Sequence, residues 1–136
     1  MTEGNKKENI RDELERAGEA LRSADVLYKS RLYRDAVSRL YYLLYHTVRA
    51  LLLSEGLEPK THEGTLRLMG MHFVKKGILT SGDSHVFSRL MKYREEADYN
   101  PTYLFTEADY VEFRKDAEEL CGNIRHYLGE RRLLKN

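Results

Sequence analysis

The sequence predicts an all-α fold, a five-helix bundle of the up-and-down type. Three observations point to it. Apolar residues recur every three to four positions along most of the chain. No stretch alternates with the period of two that a half-buried strand requires. Glycine and proline, only 9 and 2 in 136 residues, mostly fall between the periodic segments and not within them. The chain is long enough for one self-sufficient core. A single helical domain is expected over residues 9–129, with a flexible N-terminal tail at 1–8 and a C-terminal tail at 130–136.

The first helix is predicted from about Asn9 to Ser30, where Ile10, Leu14, Ala17, Leu21, Ala24 and Leu27 share one side. After a break at Ser30-Arg31-Leu32, the second runs from about Tyr33 to Glu55 and stops at Gly56. Thr61 caps a third helix, about His62 to Lys76, which ends at Gly77. Ser81-Gly82-Asp83 opens a fourth, about Ser84 to Tyr99, which Asn100-Pro101 terminates. Thr106 caps the fifth, with Asp109 completing a capping-box variant and Tyr110, Phe113, Ala117, Leu120, Ile124 and Tyr127 on its apolar side.

The second helix differs from the others. At about 100° per residue, Ala36, Val37, Leu40, Leu43, Leu44, Thr47, Val48 and Leu51 form one wide core stripe. Arg39 and His46 lie beside it, on one face and about 10 Å apart along the axis. Tyr42, Arg49 and Leu53 continue that side, and Tyr41, Tyr45 and Leu52 make the other flank apolar too. A helix with one buried face would carry Glu and Lys in these places. Arg, His and aromatics are instead the residues of interfaces and clefts. Two readings follow, compatible with each other: a central helix packed by several neighbours, and a dimer interface.

Composition narrows the function classes. The net charge of +1 provides no global basic field, so nucleic-acid binding requires a local patch. A single cysteine, Cys121, excludes an internal disulfide and a Cys-based zinc cage. No His/Asp/Glu grouping has metal-ligand spacing, so neither a metal nor a cofactor is expected. The opening Met-Thr-Glu-Gly-Asn-Lys-Lys-Glu lacks a secretory apolar core, and Leu40–Leu53 is too short and interrupted to span a bilayer. A cytoplasmic protein without membrane attachment is the expectation. The glycines form no phosphate loop, and no nucleophile-elbow pattern supports a Ser-His-Asp triad.

Three blocks carry a resemblance. They are Ala36-Val-Ser-Arg-Leu-Tyr-Tyr-Leu-Leu-Tyr-His46 followed by Arg49-Ala-Leu-Leu-Leu53, then Pro59-Lys-Thr-His-Glu-Gly64, then Arg94-Glu-Glu-Ala-Asp-Tyr99. In this order they resemble small prokaryotic HEPN-domain proteins, over about Ala20 to Leu128. The resemblance implies a helical bundle that dimerises. It also implies either pairing with a small nucleotidyltransferase-like protein in a toxin–antitoxin module, or a metal-independent ribonuclease with an Arg-x(4–6)-His motif in the dimer cleft. In such a nuclease a histidine takes the proton of the RNA 2′-hydroxyl and an arginine steadies the charge on phosphorus.

Several residues are therefore candidates. Arg39 and His46 fit the Arg/His spacing, but on the second helix. Near the fourth, where the family motif belongs, Arg94 is followed by Asp98 in place of histidine. The plainer reading of that pair is an i,i+4 ion pair. Lys60, Thr61 and His62 stand at a helix start, suited to an RNA or nucleotide phosphate; a capped helix with an exposed histidine is the plainer reading. Tyr42, Arg49, Leu53 and Tyr99 are the expected dimer or partner contacts. His72 and His85 read as surface or packing residues. The basic run Arg125, His126, Arg131, Arg132 and Lys135 reads as a solvated helix end able to touch phosphates.

Overall fold

In the computed structural model, which describes residues 2–134, the bundle is built of α1 (Glu3–Lys29), α2 (Tyr33–Leu53), α3 (His62–Met69), α4 (Ser81–Tyr99) and α5 (Glu107–Glu130). A single π-helical turn, Gly70–Val74, extends α3. No strand occurs among the described residues. No helix among them is long and apolar enough to cross a membrane.

Helix α2 is the hub, packed by α1, α4, α5 and the short α3. The whole predicted stripe from Ala36 to Leu51 is buried, and so are Tyr41 and Leu52 on the flank. The central-helix reading therefore holds within one chain. Leu53, expected at a dimer or partner contact, is only 4% exposed and belongs to this intramolecular core. Its place at the last turn of α2 brings it over the core as the neighbouring helices close around that end.

Chain ends depart from the expected tails. Residues 3–8 are the first turns of α1, because Thr2 caps the helix through the Asn5 amide at 3.1 Å. Lys6 then bridges Glu3 (3.4 Å) and the Ser54 carbonyl at the end of α2 (3.3 Å). At the other terminus α5 continues to Glu130, and Leu133 beyond it returns to the core. Lys135 of the basic run lies outside the described residues. Helix α4 starts at Ser81, three residues early, because Thr80 and Asp83 make a reciprocal capping box. The box predicted at Thr106 and Asp109 forms, and Thr61 caps α3 through the Gly64 amide at 2.8 Å.

Gly56 ends the turn after α2 in the left-handed region, φ 72°, and the Leu57 amide reaches back to the Leu52 carbonyl. Arg31 adopts the same conformation between α1 and α2, φ 60°. Beyond it, Arg34 reaches from the first turn of α2 to the C-terminus of α4. Its guanidinium donates to the carbonyls of Glu96 (3.2 Å), Ala97 (3.1 Å), Asn100 (2.7 Å), Pro101 (3.2 Å) and Tyr103. One cation thus satisfies carbonyls that a helix end leaves open and opposes the negative end of its dipole.

Arg34 is therefore the clamp that sets the end of α4 against α2. Arg34→Ala should cost about 2 kcal/mol of stability in urea unfolding, and Arg34→Lys should recover only part of it because an ammonium lacks the planar fork. Unchanged unfolding midpoints would show that solvent replaces the clamp.

Candidate nucleic-acid interface

The strip of α2 that its neighbours leave open carries Arg39, Tyr42, Tyr45, His46 and Arg49, all half-buried. The Arg39 guanidinium lies 4.6 Å from the centre of the Tyr42 ring, and Tyr42 stands 6.3 Å from the His46 ring. Tyr42 thus sits between the two residues of the Arg/His spacing. Arg49 approaches the Tyr45 ring at 5.6 Å and donates to the Pro59 carbonyl at 2.7 Å, tying the loop before α3 to α2.

On the α1 side the strip is anchored by Glu13. This carboxylate is 8% exposed and accepts a hydrogen bond from His46 Nδ1 at 2.9 Å. Arg49 Nε is 3.5 Å and Arg16 3.8 Å from the same group. Burial pushes the Glu13 carboxyl upward, but the His46 hydrogen bond and the surrounding cations outweigh it, leaving the pKa below 4.5. Because a carboxylate only accepts, Nδ1 of His46 carries the hydrogen and a neutral imidazole leaves its Nε2 lone pair free. The spacing of the second helix did not disclose Glu13. A signal existed in the first: with Ile10, Leu14 and Ala17, Glu13 shares the i, i+3, i+4, i+7 stripe, so a charge was headed for the core.

On the other side stand the residues of α3 and α4. The Tyr41 hydroxyl and His62 Nδ1 share a hydrogen bond at 2.6 Å, and the His62 ring packs 4.6 Å from that of Tyr45. Tyr41 is fully buried, and burial raises its phenol pKa far above the usual 10.0, so the hydroxyl keeps its proton. Burial, then the charge of Arg94, holds His62 below its ordinary 6.5, with Glu63 and Glu95 opposing and Arg49 assisting. The Arg94 guanidinium lies 5.5 Å from the Tyr41 ring centre and 3.6 Å from Asp98, so the i,i+4 pair forms with a buried arginine. Lys60 and Thr61 are exposed at the start of α3. Tyr99 is 75% exposed and is no part of the core.

Arg39, Tyr42, His46, Arg49, His62 and Arg94 therefore gather about one aromatic platform. Lys60 and Thr61 border it, and Leu53 is buried in the core. His72 is half-buried; His85 and His126 are exposed, the last paired with Glu130. Among the described residues no three His, Cys, Asp or Glu side chains converge as a metal site.

Comparison with known proteins agrees with this architecture. Residues 10–127 match the HEPN domain. Two proteins of Methanocaldococcus jannaschii, each named a "putative toxin", are 35% identical over 124 residues and 30% identical over 122. The first alignment covers 91% of this chain and 92% of its relative, the second 90% and 83%. A UPF0332 protein of Thermotoga maritima is 34% identical over 103 residues, covering 76% of this chain and 78% of that one. The chain belongs to the HEPN domain family.

Protonating either of these lowered groups costs the folded state stability. The unfolded chain binds a proton at His62 below about pH 6.5, where the folded chain still resists it. Stability should thus fall as pH drops through that region, and fall again below pH 4.5 as Glu13 protonates. Urea unfolding at about pH 7.5 and about pH 5.5 measures the first loss. His62→Gln, whose amide oxygen can still accept from Tyr41, should shrink it. An equal loss in the variant would assign it to other histidines.

Proposed function

We propose that this chain is a toxin-type HEPN module that acts on single-stranded RNA through the open strip of α2. One observation carries the reading: cations and aromatic rings are interleaved there, with Arg39 on Tyr42 at 4.6 Å and Arg49 by Tyr45 at 5.6 Å. Aromatic faces stack unpaired bases, worth about 1–3 kcal/mol each, while arginines neutralise phosphates. On a chain of net charge +1, such a strip supplies the local patch that RNA needs. The names of the M. jannaschii relatives support the toxin class. In this reading the module is a cytoplasmic homodimer, with exposed Tyr99 at a contact, and a small nucleotidyltransferase-like protein is the partner that controls it.

A fluorescein-labelled single-stranded RNA followed by anisotropy tests the reading. Arg39→Ala should weaken binding roughly tenfold and lower the slope of log affinity against log salt by about one. Binding that neither salt nor this substitution changes would exclude the strip. Light scattering should give twice the chain mass of 16.0 kDa, and a monomer would exclude the homodimer.

A second reading, metal-independent ribonuclease, is favoured by the Glu13–His46 hydrogen bond, which occupies Nδ1 and leaves Nε2 as the free nitrogen. His46 would take the proton from a 2′-hydroxyl as that oxygen bonds to its own phosphorus. The P–O5′ bond then breaks, yielding a cyclic phosphate and a 5′-hydroxyl once the leaving oxygen is protonated, with Arg39 steadying the phosphorane. Cleavage in EDTA should persist in wild type and fall at least a hundredfold in His46→Ala, following the usual magnitude of acid–base catalysis. Equal rates would remove His46 from the chemistry, and no cleavage on varied RNAs would leave binding alone.

A further inference from the structure

We infer that a second copy of this chain docks on α5, antiparallel to it, about a two-fold axis at Val111. The inference rests on the homodimer reading and names the face through which the two copies meet.

The face begins as a gap between helices. Both α1 and α5 pack on α2 far more than on each other. Polar ties cross the gap: Tyr110 and Arg114 donate to Asp25 at 2.7 and 2.8 Å, and the Tyr28 hydroxyl donates to Glu107 at 2.7 Å. The Tyr28 and Tyr110 rings stack at 4.5 Å. Two hollows remain, of about 670 and 760 Å³, and Val111 and Lys115 line both. These two residues therefore form a ridge flanked by hollows, the relief that a second helix needs in order to interdigitate.

Val111 is 54% exposed. A lone surface valine is ordinary, but this one holds an exposed helix position where its branched side chain lowers helix propensity. Its neighbours along the i±4 ridge are Glu107 and Lys115, both exposed. Each lies about 6 Å from Val111 along the axis, in opposite directions and with opposite charge. That order is self-complementary. When a second α5 is turned end over end about Val111, its Glu107 falls opposite Lys115 and its Lys115 opposite Glu107, as a two-fold requires. A parallel second helix would instead set acid against acid and lysine against lysine, so charge selects the antiparallel pairing. Among the described residues no acid pairs with Lys115, and Glu107 meets only the neutral Tyr28 hydroxyl. Both charges are thus left for another chain.

This pairing bears on the strip of α2. Helix α5 meets α2 at Thr47, whose hydroxyl accepts from Cys121 Sγ at 3.4 Å. Thr47 lies about 140° around α2 from Tyr42. A copy held on the exposed ridge of α5 leaves the strip of each chain uncovered, so the dimer presents two separate strips and not one shared cleft.

Sedimentation equilibrium of the full chain and its variants tests the face. Lys115→Glu should raise the dimer dissociation constant by about tenfold or more, because the two-fold sets acid against acid twice. Glu107→Lys should do the same, and the two substitutions together should restore the dimer. Glu107 also holds Tyr28, so Val111→Arg, at an exposed side chain without polar contacts, gives the loss free of that effect; urea midpoints check that each variant folds. Val111→Cys tests position. A two-fold at this residue brings it against its own counterpart, so mild oxidation should give a covalent dimer. Lys115→Cys, about 12 Å from its counterpart along the axis, should stay uncrosslinked. The native Cys121 is buried and does not compete. A dimer indifferent to Lys115→Glu and Val111→Arg would overturn the α5 face while the homodimer reading stands, and its loss in Tyr99→Ser alone would move the contact to the end of α4. A monomer at every concentration would sink both and leave the groove to a chain of different sequence.

Discussion

Enclosure of α2 is the constraint from which the remaining features follow. Four helical neighbours surround it, and its stripe from Ala36 to Leu51 is withdrawn from water. Polar groups on or facing such a helix cannot rely on solvent and must find protein partners. Glu13 meets His46 and Arg49, the Tyr41 hydroxyl meets His62, and Thr47 donates to the Leu43 carbonyl while receiving Cys121 Sγ at 3.4 Å. Each of these contacts fixes a side chain that a solvated helix would leave mobile. The open strip is consequently pre-arranged, which spares a ligand part of the ordering cost.

Electrostatics follow the same plan. Across the whole chain charges nearly cancel, yet on the strip Arg39 and Arg49 stand over tyrosine rings while Glu13, the acid paired with Arg49, is buried on the α1 side. His46 and His62 flank Tyr45 at 5.3 and 4.6 Å, the first hydrogen-bonded to Glu13 and the second to Tyr41. A surface with two anchored histidines and two arginines between aromatic faces matches the groups of an RNA strand: hydroxyl, phosphate and base. Arg34 contributes from a distance, by holding the end of α4 and with it the Arg94–Asp98 turn.

Much of this fold was legible in the sequence because local rules decide it. Periodicity alone marked the α2 stripe, and Thr61 and Thr106 announced their helices through cap chemistry. Other elements depended on partners remote in the chain. The first turns of α1 read as a polar tail, since neither Thr2 as a cap nor Lys6 as a bridge to Ser54 appears in apolar spacing. For the site, Arg39, Tyr42, His46 and Arg49 were visible as an anomalous face of one helix. The Tyr41–His62 and Glu13–His46 pairs were not, because they join different helices and no single-helix pattern encodes them. Leu53 shows the converse error: angle placed it on the strip, and the closing of the bundle end buried it.

The central claim is that the strip of α2, with the start of α3 and the Arg94 turn of α4, is where RNA binds. Amide and side-chain NMR shifts on addition of a short single-stranded RNA test it most directly. The account predicts perturbations confined to Arg39 through Arg49, Lys60 through Glu63, and Arg94 through Tyr99. Shifts confined instead to the basic residues Arg125 through Arg132 at the end of α5 would contradict it.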